Sequence, residues 1–188
     1  MQPLDQREPG NRRWMFLFLT AIIVIGAIRW HATSTPTSAL LAPADRKPLP
    51  AAGLPLLDGT QWTPAAHRGQ VVLINYWATW CEPCQEETPA LTQTFHDLSP
   101  RGLAILGISL DQGPDAPAKV QQFIDRFHVP YPIALSTPTW NGASETVGVP
   151  TSWLIDRKGR IAKIYAGPIQ PRDLTKDIAT LLAEPNVI

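Results

Sequence analysis

The feature that most constrains this chain is a C-x-x-C motif between a predicted strand and a predicted helix. Cys81 and Cys84 are its two cysteines. The preceding run, Val71–Trp77, is almost continuously apolar and β-branched, as expected for a central strand covered on both faces. Pro83 can occupy a first helical turn, and apolar residues at helical spacing continue until about Ser99. The motif is therefore predicted at a strand-to-helix junction of an α/β fold.

A strand-to-helix junction suits redox chemistry at two thiols. A thiolate at a helix N-terminus faces unpaired backbone N–H groups and the positive end of the helix dipole, and both lower its pKa. Cys84 lies one turn beyond Cys81, so it can close a disulfide with Cys81 or attack a mixed disulfide. We predict Cys81 as the exposed nucleophile and Cys84 as the buried resolving thiol.

Two other uses of the motif are disfavoured. A zinc site needs further ligands at suitable spacing, but there is no second C-x-x-C and the four histidines are scattered along the chain. A purely structural bridge would close too small a loop to stabilise the fold much. No metal is therefore expected.

Apolar patterns elsewhere alternate between strand and helix periodicity. Asp58-Gly59 predicts a tight turn inside an N-terminal hairpin over residues 54–63. Residues 136–148 are ambiguous. Strands that alternate with helices, closed by a hairpin and a helix, indicate a mixed-sheet α/β sandwich. Strands are predicted at 103–110, 132–135, 151–156 and 161–166, and helices around Val120, Phe123, Ile124 and Phe127 and from Pro171 onward.

The first thirty residues contain a candidate membrane segment. Residues 15–28 form an uncharged, mostly apolar run, and a helix over residues 14–30 would span about 25 Å of a hydrocarbon core about 30 Å thick. We interpret residues 14–30 as a retained transmembrane signal anchor in the lipid bilayer. A cleavable signal peptide and a buried core helix are the alternatives.

Flanking charge predicts the topology of the chain. Residues 1–13 carry three arginines, so the positive-inside rule places them in the cytoplasm and everything after Trp30 outside. Residues 31–50 are rich in Pro, Ser, Thr and Ala, a composition typical of a semi-rigid linker. The globular domain is then expected over residues 51–188, in the periplasm or another extracytoplasmic space. Charges balance at 16 positive and 16 negative, which gives no reason to expect a nucleic-acid partner.

Several segments resemble the TlpA/ResA branch of the thioredoxin superfamily, close to the extracytoplasmic reductases of cytochrome c maturation. They are Val71–Trp77 with the following ATWCEPC, residues 86–89 (EETP), residues 103–110 and residues 148–156 (GVPTSWLID). The resemblance implies a thioredoxin fold, a mixed central sheet flanked by helices, with an N-terminal hairpin and a central strand–helix insertion.

A substrate site is expected beside the cysteines. The resemblance implies that the bond between Val149 and Pro150 is cis, and that Val149, Pro150 and Thr151 contact the substrate. Val149 would then pair with a substrate peptide in β-fashion. Trp80 is expected to form an apolar lip beside Cys81.

Glu87 is the predicted acid–base residue. Thioredoxin itself has a buried aspartate six residues before the first cysteine, and Asn75 occupies that position here. Glu87 lies three residues after Cys84 on the same helix face, and the resemblance implies an active-site glutamate at this position. A carboxylate near two thiols in a partly apolar site would have a raised pKa and could transfer protons during exchange. The neighbouring Glu86 is interpreted as a solvated residue.

The resemblance implies an extracytoplasmic protein disulfide reductase that needs no cofactor. The expected substrate is apocytochrome c, whose haem-site cysteines must be reduced before haem attachment, and electrons would come from a membrane thiol transporter of the DsbD/CcdA type. Reduction of a copper-site protein during oxidase assembly is an alternative. A peroxiredoxin needs Thr or Ser where Ala78 stands, and a copper chaperone of the Sco type needs C-x-x-x-C, so both fit less well.

Overall fold

A computed structural model describes residues 39–140 and 148–185 of the chain. The predicted anchor at residues 14–30 and the leading residues 1–13 lie outside the described residues. Within these two described ranges, no helix combines the length and the apolar character needed to cross a membrane.

Eight strands occur in the described residues, and six of them form one mixed sheet. They are β1 (Lys47–Pro48), β2 (Leu54–Pro55), β3 (Gln61–Trp62), β4 (Val71–Trp77), β5 (Leu103–Ser109), β6 (Ile133–Leu135), β7 (Thr151–Ile155) and β8 (Arg160–Ala166). The main sheet has the order β1-β8-β7-β4-β5-β6. β4 pairs parallel with β5, and β5 pairs parallel with β6. On the other side of β4, β7 pairs antiparallel with β4, β8 with β7, and β1 with β8. All seven residues of β4 are buried, as predicted for a central strand.

The described part of the chain has three α-helices, which contribute to one core cluster with the main sheet. They are α1 (Glu82–Leu98), α2 (Ala116–Phe127) and α3 (Pro171–Ala183). Successive strand residues point to opposite faces, so Leu73 and Trp77 of β4 belong to this cluster. Leu91 of α1, Phe123 of α2 and Ile178 of α3 are buried in the same cluster.

The intervening residues of β4 belong to a second, aromatic-rich cluster. Ile74 and Tyr76 lie in it together with Trp62, Trp140 and Trp153. The Trp62 and Trp140 rings meet edge to face with centroids 5.6 Å apart, and Tyr76 and Trp153 do so at 5.2 Å. β4 is therefore covered on both faces, which explains why its sequence does not alternate between polar and apolar residues.

The N-terminal hairpin is confirmed, with β2 and β3 antiparallel. Its turn is closed by Asp58 Oδ1, which accepts hydrogen bonds from the Thr60 N–H at 2.9 Å and from the Thr60 hydroxyl at 2.7 Å. Gly59 has φ +84°, a left-handed conformation that glycine adopts without a Cβ penalty. The Leu57 N–H donates to the Ile133 carbonyl at 2.8 Å, which ties the hairpin to β6.

Gly107 in β5 allows the side chain of Trp77, at the end of the strand that leads to the cysteines, to approach the β5 backbone closely. A Cβ on this residue would lie 2.4 Å from Ile133 Cδ1 and 3.0 Å from Trp77 Nε1. The Trp77 indole instead lies over the glycine and packs against Phe123, with ring centroids 4.2 Å apart. Trp77 is thus held in the core four residues before Cys81, in agreement with its predicted core position.

The folded part of the chain begins earlier than predicted. Within the proposed 31–50 linker, β1 pairs with β8 and Leu49 is buried in the aromatic-rich cluster. Arg46 is also buried, and its guanidinium contacts Asp156 at 3.1 Å and Glu184 at 2.6 Å. These partners lie far away in sequence, so the Pro- and Ala-rich composition of the segment could not indicate that Arg46 is buried. Residues 31–38 lie outside the described residues.

The other predicted elements agree with the observed ones to within a few residues. The helix predicted around Val120 is α2, and the helix predicted from Pro171 is α3. The edge strand β6 follows α2 in the chain and lies beside β5 in the sheet. Residues 141–147, within the stretch 136–148 that the sequence left ambiguous, lie outside the described residues.

Candidate active site

The N-terminus of α1 carries the two cysteines. Cys81 is the N-cap residue, with an extended backbone conformation, and its sulfur accepts a hydrogen bond from the Cys84 N–H at 3.3 Å. Pro83 lies in the first turn, as predicted, where its missing N–H costs no helical hydrogen bond. Cys81 and Cys84 form a disulfide with an S–S distance of 2.04 Å. The structure therefore presents the oxidised state of a dithiol couple at a helix N-terminus.

Both cysteines are buried in this oxidised state. Cys81 is 5 % exposed and Cys84 is 1 % exposed, so the expected exposed position of Cys81 is not observed. The bridge holds both sulfurs in the core cluster beneath the start of α1. Trp80, directly before Cys81, is 68 % exposed, and Glu82 and Pro83 between the two cysteines are exposed as well.

Glu87 lies in the second turn of α1 and is buried, with 7 % of its surface exposed. Its Oε1 accepts a hydrogen bond from Asn75 Nδ2 at 2.9 Å, and its Oε2 accepts one from the Ile169 N–H at 3.2 Å. Asn75 Nδ2 also donates to Ser152 Oγ at 2.9 Å. Asn75 and Glu87 are therefore in direct contact, which the sequence did not predict, and Asn75 helps to hold the buried carboxyl group in place.

Burial dominates the electrostatics of Glu87. Removal of the carboxyl from water raises the pKa of Glu87 above its ordinary value, while the N–H groups of Ile169 and Asn75 favour the charged form and reduce that rise. Tyr131, also buried, has a raised pKa because of burial first and of the Glu87 charge second. The raised pKa agrees with the prediction for Glu87, and its catalytic role stays a prediction.

A cis peptide bond lies at the same end of the sheet. The bond between Val149 and Pro150 is cis, as predicted. Thr151 is fully buried, and its hydroxyl donates to the Gly148 carbonyl at 2.8 Å. Thr151 pairs with Tyr76 near the end of β4, so this loop lies at the same end of the central strands as the C-x-x-C motif. Contact of these residues with a substrate stays a prediction.

One residue beside the motif was not singled out from the sequence. Asp111 is 8 % exposed, and its carboxylate accepts hydrogen bonds from the Thr79 N–H at 2.8 Å, the Thr79 hydroxyl at 2.6 Å and the Ser109 hydroxyl at 2.7 Å. Gln85 Nε2 donates to the Thr79 carbonyl at 2.9 Å from the other side. Asp111 therefore positions the loop before Cys81. An acidic residue directly after a buried strand was the available signal.

The described residues include no group of three or more His, Cys, Asp or Glu side chains arranged to hold a metal ion. The donors that converge near the cysteines are instead directed at Glu87 and at Asp111. What the site offers chemically is a dithiol–disulfide couple with a buried carboxyl group on the same helix.

Comparison with known proteins finds a redox family and thiol–disulfide oxidoreductases among the proteins similar to this chain. The model of the Redoxin family matches residues 44–182. The thiol:disulfide interchange protein DsbE of Pseudomonas fluorescens biotype C is 32 % identical over 162 residues, which cover 84 % of this chain and 87 % of that protein. The thiol-disulfide oxidoreductase ResA of Geobacillus thermodenitrificans is 28 % identical over 126 residues, covering 66 % of this chain and 71 % of that protein.

Solved structures show the same fold. A secreted thiol-disulfide isomerase from Corynebacterium glutamicum matches with a TM-score of 0.70 and 26 % identity, covering 81 % of this chain and 95 % of that one. A thiol:disulfide interchange protein of the thioredoxin family from Chlorobium tepidum matches with a TM-score of 0.66 and 27 % identity, covering 76 % of this chain and 100 % of that one. The thioredoxin-like α/β fold predicted from the sequence is confirmed.

Proposed function

The chain belongs to the redoxin family as a thiol–disulfide oxidoreductase of the ResA and DsbE type, and from this premise we propose that it reduces disulfide bonds in exported proteins. The observation that carries the proposal is the Cys81–Cys84 couple at the start of α1 with the buried Glu87 one turn further on. A helix N-terminus stabilises a thiolate, and a nearby carboxyl group can exchange protons with a thiol.

The reaction transfers two electrons from the protein dithiol to the substrate disulfide. The Cys81 thiolate attacks one substrate sulfur, which breaks the substrate S–S bond and releases one substrate thiolate, protonated from solvent. Cys84 then loses its proton and attacks the Cys81 sulfur, and the second substrate thiolate leaves. The products are a substrate dithiol and the Cys81–Cys84 disulfide seen in the structure.

Glu87 is proposed to accept the proton of Cys84 during the second attack. A carboxyl group works as a proton acceptor for a thiol more effectively as its pKa rises toward that of the donor. Burial raises the pKa of Glu87, and the two N–H donors hold its oxygens in fixed positions. The surrounding protein thus supports both the basicity and the placement that this step requires.

The proposed location is the extracytoplasmic side of the cytoplasmic membrane, with residues 14–30 as the anchor. The arginines of residues 1–13 and the apolar run that follows support it. Apocytochrome c is the proposed substrate, on the resemblance to the TlpA/ResA branch, and a thiol transporter of the DsbD/CcdA type would restore the reduced dithiol. Reporter fusions at the C-terminus test the location: a periplasm-only reporter should be active, and activity of a cytoplasm-only reporter alone would contradict it.

The roles of the cysteines are tested by trapping in the full chain. Cys84→Ser should accumulate mixed disulfides with substrate proteins through Cys81, because the resolving thiol is missing. Cys81→Ser should accumulate none. In the reduced wild type, alkylation should modify Cys81 faster than Cys84. Mixed disulfides formed through Cys84, or equal accumulation in both variants, would overturn the assignment.

A further inference from the structure

A cleft of about 260 Å³ opens beside the C-x-x-C motif, between the start of α1 and the exposed side of α2. Neither the predicted site residues nor the proposed reaction uses it. Its lining combines one threonine, two amides, one aromatic ring and two cationic side chains: Thr79, Gln85, Gln122, Phe123, Lys119 and Arg126.

The α2 wall of the cleft follows from helical spacing. Lys119, Gln122, Phe123 and Arg126 stand at positions i, i+3, i+4 and i+7, so they share one face of the helix. Phe123 is buried and its ring packs on Trp77 at 4.2 Å, which turns this face toward the strand that precedes the cysteines. The polar members of the same face are exposed and border the cleft.

The opposite wall is held by hydrogen bonds on both sides of Thr79. Asp111 accepts from the Thr79 N–H and hydroxyl, and Gln85 donates to the Thr79 carbonyl. Thr79 precedes Cys81 by two residues, so their Cα atoms lie within about 7 Å of each other. A group in the cleft is thus close to the sulfur that is proposed to bond the substrate.

Both charged side chains that line the cleft are cationic, and the carboxylates of Asp111 and Asp115 lie next to them, on Thr79 and Lys119. Lys119 forms an ion pair with Asp115 at 2.7 Å, but both side chains are more than half exposed, so the pair is weak and can be exchanged for another partner. The Arg126 guanidinium lies 5.0 Å from the centre of the Phe127 ring and has no carboxylate partner among the described residues. A guanidinium presents paired N–H donors that match the two oxygens of a carboxylate.

We propose that this cleft binds a carboxylate of the substrate polypeptide, an Asp or Glu side chain within three residues of the cysteine that Cys81 attacks. Three extended residues span up to about 10 Å, enough to reach from the site of exchange to a cleft whose wall at Thr79 lies within about 7 Å of Cys81. The inference rests on the proposed disulfide reductase function, and it adds a preference for one class of substrate sequence.

The test uses the reduced full chain in non-ionic detergent and symmetrical disulfide-linked peptide dimers. The peptides are neutral except for a single Glu, placed at each position from three residues before to three residues after the cysteine, and each has a matched Gln peptide. The measured quantity is the ratio of the oxidation rate constants with the Glu and the Gln peptide. Arg126→Gln removes the proposed cation, and Arg101→Gln, an exposed arginine at the far end of α1, is the matched control.

The proposal predicts a ratio above one, up to about five, at one or more positions, since a single exposed charge pair changes an equilibrium by up to about fivefold. The ratio should fall toward one in Arg126→Gln and stay unchanged in Arg101→Gln. A ratio of one at every position, with the Gln peptides reacting, would overturn the cleft assignment alone. An equal fall in both variants would overturn it in favour of a general surface field. No reaction with any peptide would refute the reductase function and the cleft assignment together.

Discussion

Replacement of Glu87 by Gln separates the energetic cost of this residue from its function. The carboxyl is 7 % exposed and faces two N–H donors, from Asn75 and Ile169. Gln has nearly the same shape as a protonated Glu, but its amide NH2 only donates, so one of the two N–H donors is left without an acceptor. The variant therefore removes the titrating group and, at every pH, also loses one hydrogen bond at a cost of about 1–3 kcal/mol.

The pH dependence follows from the raised pKa of Glu87. Because the folded state binds this proton more tightly than the unfolded chain, the stabilisation is complete below the ordinary pKa of 4.5 and is lost as the pH rises through the folded pKa. The unfolding free energy of Glu87→Gln relative to that of the wild type should thus be lowest near pH 4 and should rise toward pH 8. The gain is about 1.4 kcal/mol for each unit by which the folded pKa exceeds the ordinary one.

The hydrogen bonds from Ile169 and Asn75 favour the charged form, and burial outweighs them since the net pKa shift is upward. The assay is denaturant-induced unfolding of the oxidised full chain in detergent from pH 4 to 8, so that neither cysteine titrates. Glu86→Gln is the matched control on the exposed side of α1 and should show no such trend. In the reduced protein, the variant should also lower the apparent thiol pKa and slow exchange.

Two results would refute this reasoning. One is a difference in unfolding free energy between wild type and Glu87→Gln that does not change with pH. The other is a difference that grows in favour of the wild type as the pH rises, since that would mean a lowered pKa of Glu87. The predicted sign instead implies that the protein retains a buried acid at the expense of stability, as is common for groups with a catalytic task.

Three further substitutions test the supports of the site by denaturant unfolding. Asp111→Asn should lower the free energy of unfolding by about 1–3 kcal/mol, because an amide cannot accept from all three donors. Asp125→Asn on the surface is the control and should change it little; equal effects of the two substitutions would contradict the positioning role of Asp111. Gly107→Ala should lower it by about 1–3 kcal/mol through overpacking, and an unchanged midpoint would show that the neighbouring side chains yield freely. Arg46→Ala should lower it by about 1–3 kcal/mol, since Asp156 loses one buried cationic partner but keeps Arg160; a loss no larger than that of Arg101→Ala would disagree with the buried network.

Local sequence patterns predicted most of the fold. The apolar run of β4, the helical spacing in α2 and α3 and the Asp58-Gly59 turn each depend on interactions within a few residues, so they are readable without the rest of the chain. The strand and helix patterns on either side of the C-x-x-C motif likewise predicted that Cys81 and Cys84 lie at a strand-to-helix junction. The cis bond before Pro150 was predicted through the family resemblance rather than through local patterns.

What the sequence could not determine depends on segments that meet only in the folded chain. Glu87 acquires its environment from Asn75 and from Ile169, whose N–H lies 82 residues further along. Arg46 is buried because Asp156 and Glu184, 110 and 138 residues away, lie around its guanidinium. Burial and hydrogen-bond partners, which set the pKa of a carboxyl and the stability of an ion pair, are properties of these long-range contacts. The sequence by itself determined which residues carry the redox chemistry, and the tertiary structure decided the electrostatic environment in which they act.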